Sequence, residues 1–147
     1  MKRLSWKYIA GLVDGEGCLD VQVTRGIYVR PRLRICLADN CKFILDILHA
    51  NHGGALIPRP STNSSWQSST SWELCGYSLV CPFLRNFANH LYIKQEQAKF
   101  LLSLETTVKG KQIASEAREF IRDELKAMKR DPHRLSEKAQ ERLIAIL

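Results

Sequence analysis

From Leu4 to Asp14 the apolar residues Leu4, Tyr8, Ile9, Leu12 and Val13 recur at helical spacing, with Ser5 placed to cap the start. The pattern then alternates. In "CLDVQVTR", Leu19, Val21 and Val23 take one face and Cys18, Asp20, Gln22 and Thr24 the other. Gly26 marks a turn, and "YVRPRLRICL" alternates again, with Arg30, Arg32, Arg34 and Cys36 opposite Val29, Pro31, Leu33, Ile35 and Leu37. The period of two predicts a β-hairpin with one apolar and one basic face, and Pro31 argues for an edge or bulge there.

The remaining chain reads in the same way. "DNCKFILDILHANHGG" predicts a helix capped by Asp39 or Asn40 and ended by Gly53 and Gly54. "ALIPRP" predicts a short strand, "STNSSWQSSTS" a polar loop, and "WELCGYSLV" a further strand. "CPFLRNFANHL" predicts a helix with Pro82 near its first turn, and "KQEQAKFLLSLETTV" another. After Gly110, "KQIASEAREFIRDELKAMKR" resumes helical spacing through Ile113, Ala117, Phe120, Ile121, Leu125 and Met128. "SEKAQERLIAIL" predicts a last helix, begun by Ser136 in a partial capping box. The order is helix, two strands, helix, two strands, then helices, an α+β class without internal repeat.

The 147 residues suit one domain, with a core over about 4–108 and a helical extension over about 109–147. No apolar run is long enough to span a membrane, and the N-terminal apolar stretch is broken by Lys7, Asp14 and Glu16, so it reads as folded protein rather than a signal peptide. The five cysteines form no paired framework and read as free thiols; His49 and His52, near a helix end, read as surface or capping groups. A net charge of +7 suits a polyanionic partner as well as an ordinary basic surface. Its distribution is more specific. Between Gln22 and Cys36 there are four arginines (Arg25, Arg30, Arg32, Arg34) and no acid. A two-stranded ribbon fits the DNA major groove, where arginine reads guanine edges. Asp20, Gln22, Thr24, Arg59, Asn63, Gln67, Ser69 and Glu73 add the mixed donors and acceptors that reading needs. Along the C-terminal helices, Glu116, Glu119, Asp123 and Glu124 alternate with Arg118, Arg122 and Lys126, which reads as a solvated face.

One stretch resists a purely structural account. "IAGLVDGEG", residues 9–17, carries three glycines in and beyond a helix, each costing about 1 kcal/mol inside one. Gly11 and Gly15 are four apart, hence on one face, where small residues let two helices approach closely. Neither a phosphate-binding loop nor a calcium loop fits the residues that follow.

The stretch resembles the signature of the LAGLIDADG homing endonucleases: Ala10, Gly11, Leu12, Asp14 and Gly17 match outright, and Ile9, Val13, Gly15 and Glu16 replace related residues. "IKQEQAKFLL" from Ile93 is similar to a second segment of the single-motif members. The resemblance implies an α-β-β-α-β-β-α fold with an antiparallel, saddle-shaped sheet and C-terminal helices. It implies a homodimer joined through Tyr8, Gly11, Leu12 and Gly15, and a near-palindromic double-stranded DNA target cut with a stagger. It places Glu16 and the Gly15 carbonyl on Mg²⁺, with Mn²⁺ as a substitute, Lys94 as the active-site lysine, and Asp39 or Asn40 as the residue that positions solvent. The basic residue that usually follows has no clear counterpart here, with Lys42 the nearest candidate. Asp14 is structural, closing the helix. The alternatives are an RNA-splicing maturase, with intron RNA as partner, and an inactive DNA-binding regulator. The location implied is the cytoplasm of a prokaryote, or an organelle whose intron encodes the chain, and not the secreted space.

Overall fold

The structure, a computed structural model, describes residues 2–63 and 67–147; part of the polar loop, 64–66, lies outside them. Helix α1 (Trp6–Glu16) leads into strands β1 (Gly17–Thr24) and β2 (Tyr28–Ala38), and helix α2 (Lys42–His52) into β3 (Ala55–Arg59) and β4 (Ser69–Cys75). Helices α3 (Tyr77–Arg85), α4 (Gln95–Thr107), α5 (Ser115–Arg130) and α6 (Ser136–Ile146) follow. The strands form one antiparallel sheet in the order β1-β2-β4-β3. The predicted order of helices and strands is therefore the observed one.

The alternation sorts the sheet into two faces. Leu19, Val21, Val29, Leu33, Ile35, Trp72 and Leu74 are buried in a core that runs on through Ile9 and Val13 of α1 to Leu143 of α6. Trp72 is fully buried and satisfies its indole by donating from Nε1 to the Gly53 carbonyl at 2.8 Å. The turn of the hairpin puts Arg25 and Gly26 at φ +52° and +73°, the paired left-handed geometry that suits the twist of two strands. Its tip is also tied from outside, since Ile113 donates its N–H to the Ile27 carbonyl at 2.8 Å.

Several local expectations are corrected. "GYSLV" is not strand: β4 ends at Cys75, Gly76 turns the chain at φ +92°, and α3 begins at Tyr77, so Pro82 lies inside that helix. A continuous apolar run hides this switch. Pro31 sits on an interior strand, but beside the end of β4. Its carbonyl accepts the Gly76 N–H at 2.9 Å, while the Gly76 carbonyl serves Val80 in α3, so the missing proline N–H leaves nothing unpaired. Neither Asp39 nor Asn40 caps α2; a 3-10 turn over Asp39–Cys41 precedes it, and Asp39 Oδ1 accepts the Thr70 hydroxyl at 2.9 Å.

Ser136 is the first residue of α6 rather than its cap, and its N–H is met by Glu96 of α4 at 3.1 Å. The α5 helix starts at Ser115, leaving Ile113 free to hold the hairpin. His52 is half-buried rather than fully at the surface. Its ring lies 5.3 Å from Trp6 and 4.9 Å from Phe83, and burial, with Arg3 nearby, lowers its pKa. All five cysteines are free thiols, and no helix among the described residues is long and apolar enough to cross a membrane.

Candidate functional site

Ser5 caps α1 as expected, its hydroxyl accepting the Tyr8 N–H at 3.1 Å. At the other end the two acids take different places. Asp14 does not close its own helix. Its carboxylate accepts the backbone N–H groups of Tyr92, Ile93 and Lys94 at 2.7, 3.2 and 3.0 Å, binding the segment that leads into α4. The Lys94 ammonium returns the contact, donating to the Asp14 carbonyl at 2.7 Å. The last turn of α1 and the residues that lead into α4 are thus locked to each other.

Glu16, two residues on, is exposed and makes no hydrogen bond or ion pair among the described residues. Beyond it, Gly17 is required by a close approach rather than by its φ of −85°, since a Cβ there would meet the Val13 carbonyl oxygen at 2.7 Å. Burial lowers the pKa of Lys94, against the opposing pull of Asp14, Cys18 and Glu16. The lysine therefore lies within electrostatic reach of the free carboxylate.

Glu16 opens onto a shallow cleft of about 190 Å³ shared with Cys18, Arg34, Cys36, Arg59 and Ser71. Arg34 and Arg59, which sequence reasoning placed with the base-reading groups, thus stand beside the acid. Alternation about Gly26 already sets Cys18 opposite Arg34, so that neighbour was within reach of the sequence. The position of Arg59 depends on β3 pairing with β4 and was not. Asp39, Asn40 and Lys42 do not line this cleft, and Lys42 is paired with Asp46 at 2.9 Å.

The remaining predicted groups share the polar face of the sheet or its loops. Asp20 binds Arg32 through both guanidinium nitrogens at 2.9 Å and Arg34 at 2.9 Å, and Gln22 accepts from Arg30 at 3.0 and 2.8 Å. Arg59 reaches Ser71 at 2.8 Å and Glu73 at 3.6 Å. Thr24 ends β1, Arg25 is exposed at the turn, Ser69 opens β4, and Asn63 and Gln67 are exposed in the loop. The basic face is therefore laced by its own acceptors, which the absence of acids from 23 to 35 conceals.

On the far side of α1, Tyr8, Gly11 and Gly15 are exposed while Ile9, Ala10 and Val13 are buried; Leu12 is half-buried. A Cβ on Gly11 or Gly15 would meet nothing within 4 Å, so packing within the chain does not call for these glycines. Tyr92, 91% exposed, and Ile93 extend the apolar character of this surface. Sequence reasoning missed both residues, because they join α1 only through the Asp14 carboxylate.

The chain is similar to the homing endonuclease I-CvuI in complex with its target, with a TM-score of 0.65 and 21% identity over 92% of this chain and 90% of that one. It is likewise similar to the homing endonuclease I-TnaI, with a TM-score of 0.56 and 20% identity over 99% and 100% of the two chains. The archaeal intron-encoded homing endonuclease I-Vdi141I, complexed with DNA, gives a TM-score of 0.64 and 15% identity over 96% and 92%. No protein-family model and no curated protein sequence matches the chain. The fold is that of the homing endonucleases, at the size of one such chain.

Proposed function

We propose that the chain is a site-specific endonuclease for double-stranded DNA, acting as a homodimer through divalent-metal-dependent hydrolysis of one phosphodiester in each strand. The observation that carries this reading is Glu16: an exposed, unpaired carboxylate at the foot of a helix, beside a partly buried lysine and two arginines. An exposed carboxylate beside the last carbonyls of a helix is a donor set that fits Mg²⁺, which takes few carboxylates and completes its shell with water and substrate phosphates. Glu16 would hold the ion together with the Gly15 carbonyl, which lies in the last turn of α1, where helix carbonyls lack helical partners. When bound, the ion lowers the pKa of an attacking water and stabilises the leaving 3′-oxygen.

Lys94, fixed by the Asp14 carbonyl, presents its ammonium to the negative charge that develops on phosphate. Arg34 and Arg59 add charge from the cleft wall, while Asp39 and Asn40, which lie outside it, are left without the solvent-positioning role. Arg30, Arg32 and the polar loop side chains read base edges. Their pairs with Asp20 and Gln22 hold the guanidinium groups in place beforehand, and those side chains would exchange these partners for guanine edges.

Two copies meet across Tyr8, Gly11, Leu12 and Gly15, with Tyr92 and Ile93 at the margin. A two-fold dimer brings one Glu16 per strand and selects a near-palindromic target. The similarity to endonucleases solved on DNA supports the same polymer here.

The test is a cleavage assay on the junction formed when the gene's own intron is removed, with Mg²⁺ or Mn²⁺. A double-strand cut with a stagger is expected. Splicing of the intron RNA with no cut would instead identify a maturase, and binding alone a regulator.

A further inference from the structure

Resting on the nucleic-acid reading above, we propose that the groove between α5 and the open edge of β1 is a subsite for a run of phosphodiester backbone, gripped by Arg122, Lys126 and Lys129. β1 is an edge strand of the sheet, and α5 packs along it. The groove between them measures about 400 Å³ and is lined by Asp20, Val21, Arg122, Leu125, Lys126 and Lys129. The three cations stand at i, i+4 and i+7, one face of the helix. They span about 10 Å at 1.5 Å per residue. Along a duplex axis one strand rises 3.4 Å per nucleotide, so the stripe covers the axial span of about three phosphates.

Their electrostatic state sets them apart from the arginines of the sheet. Arg122, Lys126 and Lys129 are exposed, and none joins an ion pair among the described residues. Of the acids on α5, Glu124 is turned away to Arg134, which binds it at 2.9 and 2.8 Å. Asp20, the acid in the groove, is already taken by Arg32 and Arg34.

Lys129 marks the end of the stripe nearest Glu16. Its ammonium lies 3.1 Å from Cys18 Sγ, and its charge helps to depress the pKa of Lys94. Val21 and Leu125, both buried, form the apolar part of the groove lining beside the exposed cations. A linear series of unpaired cations in an open groove suits a polyanion lying lengthwise. It flanks the face that enters the major groove, where a backbone strand runs. The helix pattern alone reads as a solvated face; only its packing on β1 gives the stripe a direction.

The test is the salt dependence of binding to a fluorescent duplex of random sequence, measured by anisotropy. Each cation that grips a phosphate adds about 0.9 to the slope of log affinity against log salt. The variant carrying Arg122→Gln, Lys126→Gln and Lys129→Gln should therefore lose about 2 to 3 from the slope. Lys129→Arg should keep it, as should Lys99→Gln on α4. Thermal melting confirms that the triple variant folds; should it not, Lys129→Gln alone must lose about 0.9. An unchanged slope with a wild type that binds DNA overturns the subsite and leaves the endonuclease reading standing. A wild type that binds no duplex at any salt overturns both.

Discussion

Asp14 and Glu16 are two residues apart on one helix and live in opposite conditions. Asp14 spends its carboxylate on three backbone N–H groups and its carbonyl on Lys94, so it holds structure together. Glu16 is exposed with nothing bound to it. Exposed acids elsewhere, Glu116 and Glu119 among them, are unpaired as well; what sets Glu16 apart is the partly buried lysine and the two arginines beside it. The difference separates an acid that holds structure from one that is free for the role proposed for it.

The largest expected effects test that division directly. Glu16→Gln should lower Mg²⁺-dependent cleavage by about a hundredfold or more while leaving the melting temperature and duplex affinity near wild type. Asp14→Ala should do the reverse in kind, costing about 1–2 kcal/mol of stability in urea titration through loss of its hydrogen bonds to three backbone N–H groups. If Glu16→Gln destabilised as much as Asp14→Ala, the division would fail.

Gly11 sharpens the same contrast on the outer side of the helix. Gly11→Ala meets no neighbour within the chain and should stabilise an isolated protomer by up to about 1 kcal/mol through helix propensity. In sedimentation it should weaken the dimer, and Gly11→Leu should abolish it. Dimers that survive the leucine would move the interface elsewhere.

The smallest effect comes from His52, far from either acid. Its pKa is lowered in the folded chain, so the unfolded chain takes up the proton first as pH falls. Stability should therefore decline as pH drops below the ordinary histidine value of 6.5, visible as a falling melting temperature between pH 7.5 and 5.5. His52→Phe keeps the ring against Trp6 and Phe83 and should flatten that slope.

Much of this was legible in the chain. Alternation about Gly26 fixes the hairpin, its faces and its register, because a period of two leaves one consistent pairing. The spacing of Ile9, Val13 and Gly11 likewise separates the buried side of α1 from the open one. What stayed hidden depends on contacts distant in sequence. Asp14 meets Tyr92 and Lys94 some eighty residues on, and Arg59 joins Glu16 only through sheet order. Lys129 reaches Cys18 across the width of the fold. Local signals failed where two competed, as in "WELCGYSLV", whose apolar run masks the turn at Gly76.

The tie from Ile113 to the Ile27 carbonyl has a mechanical consequence. A hairpin rooted only at its base pivots like a cantilever, and its tip samples many positions. This one is a beam supported at both ends, by α1 at Gly17 and by the link before α5 at the turn. The outermost base pairs of a target would then meet a stiff ruler, and changes near Ile113 would shift preference there without touching the nucleic acid.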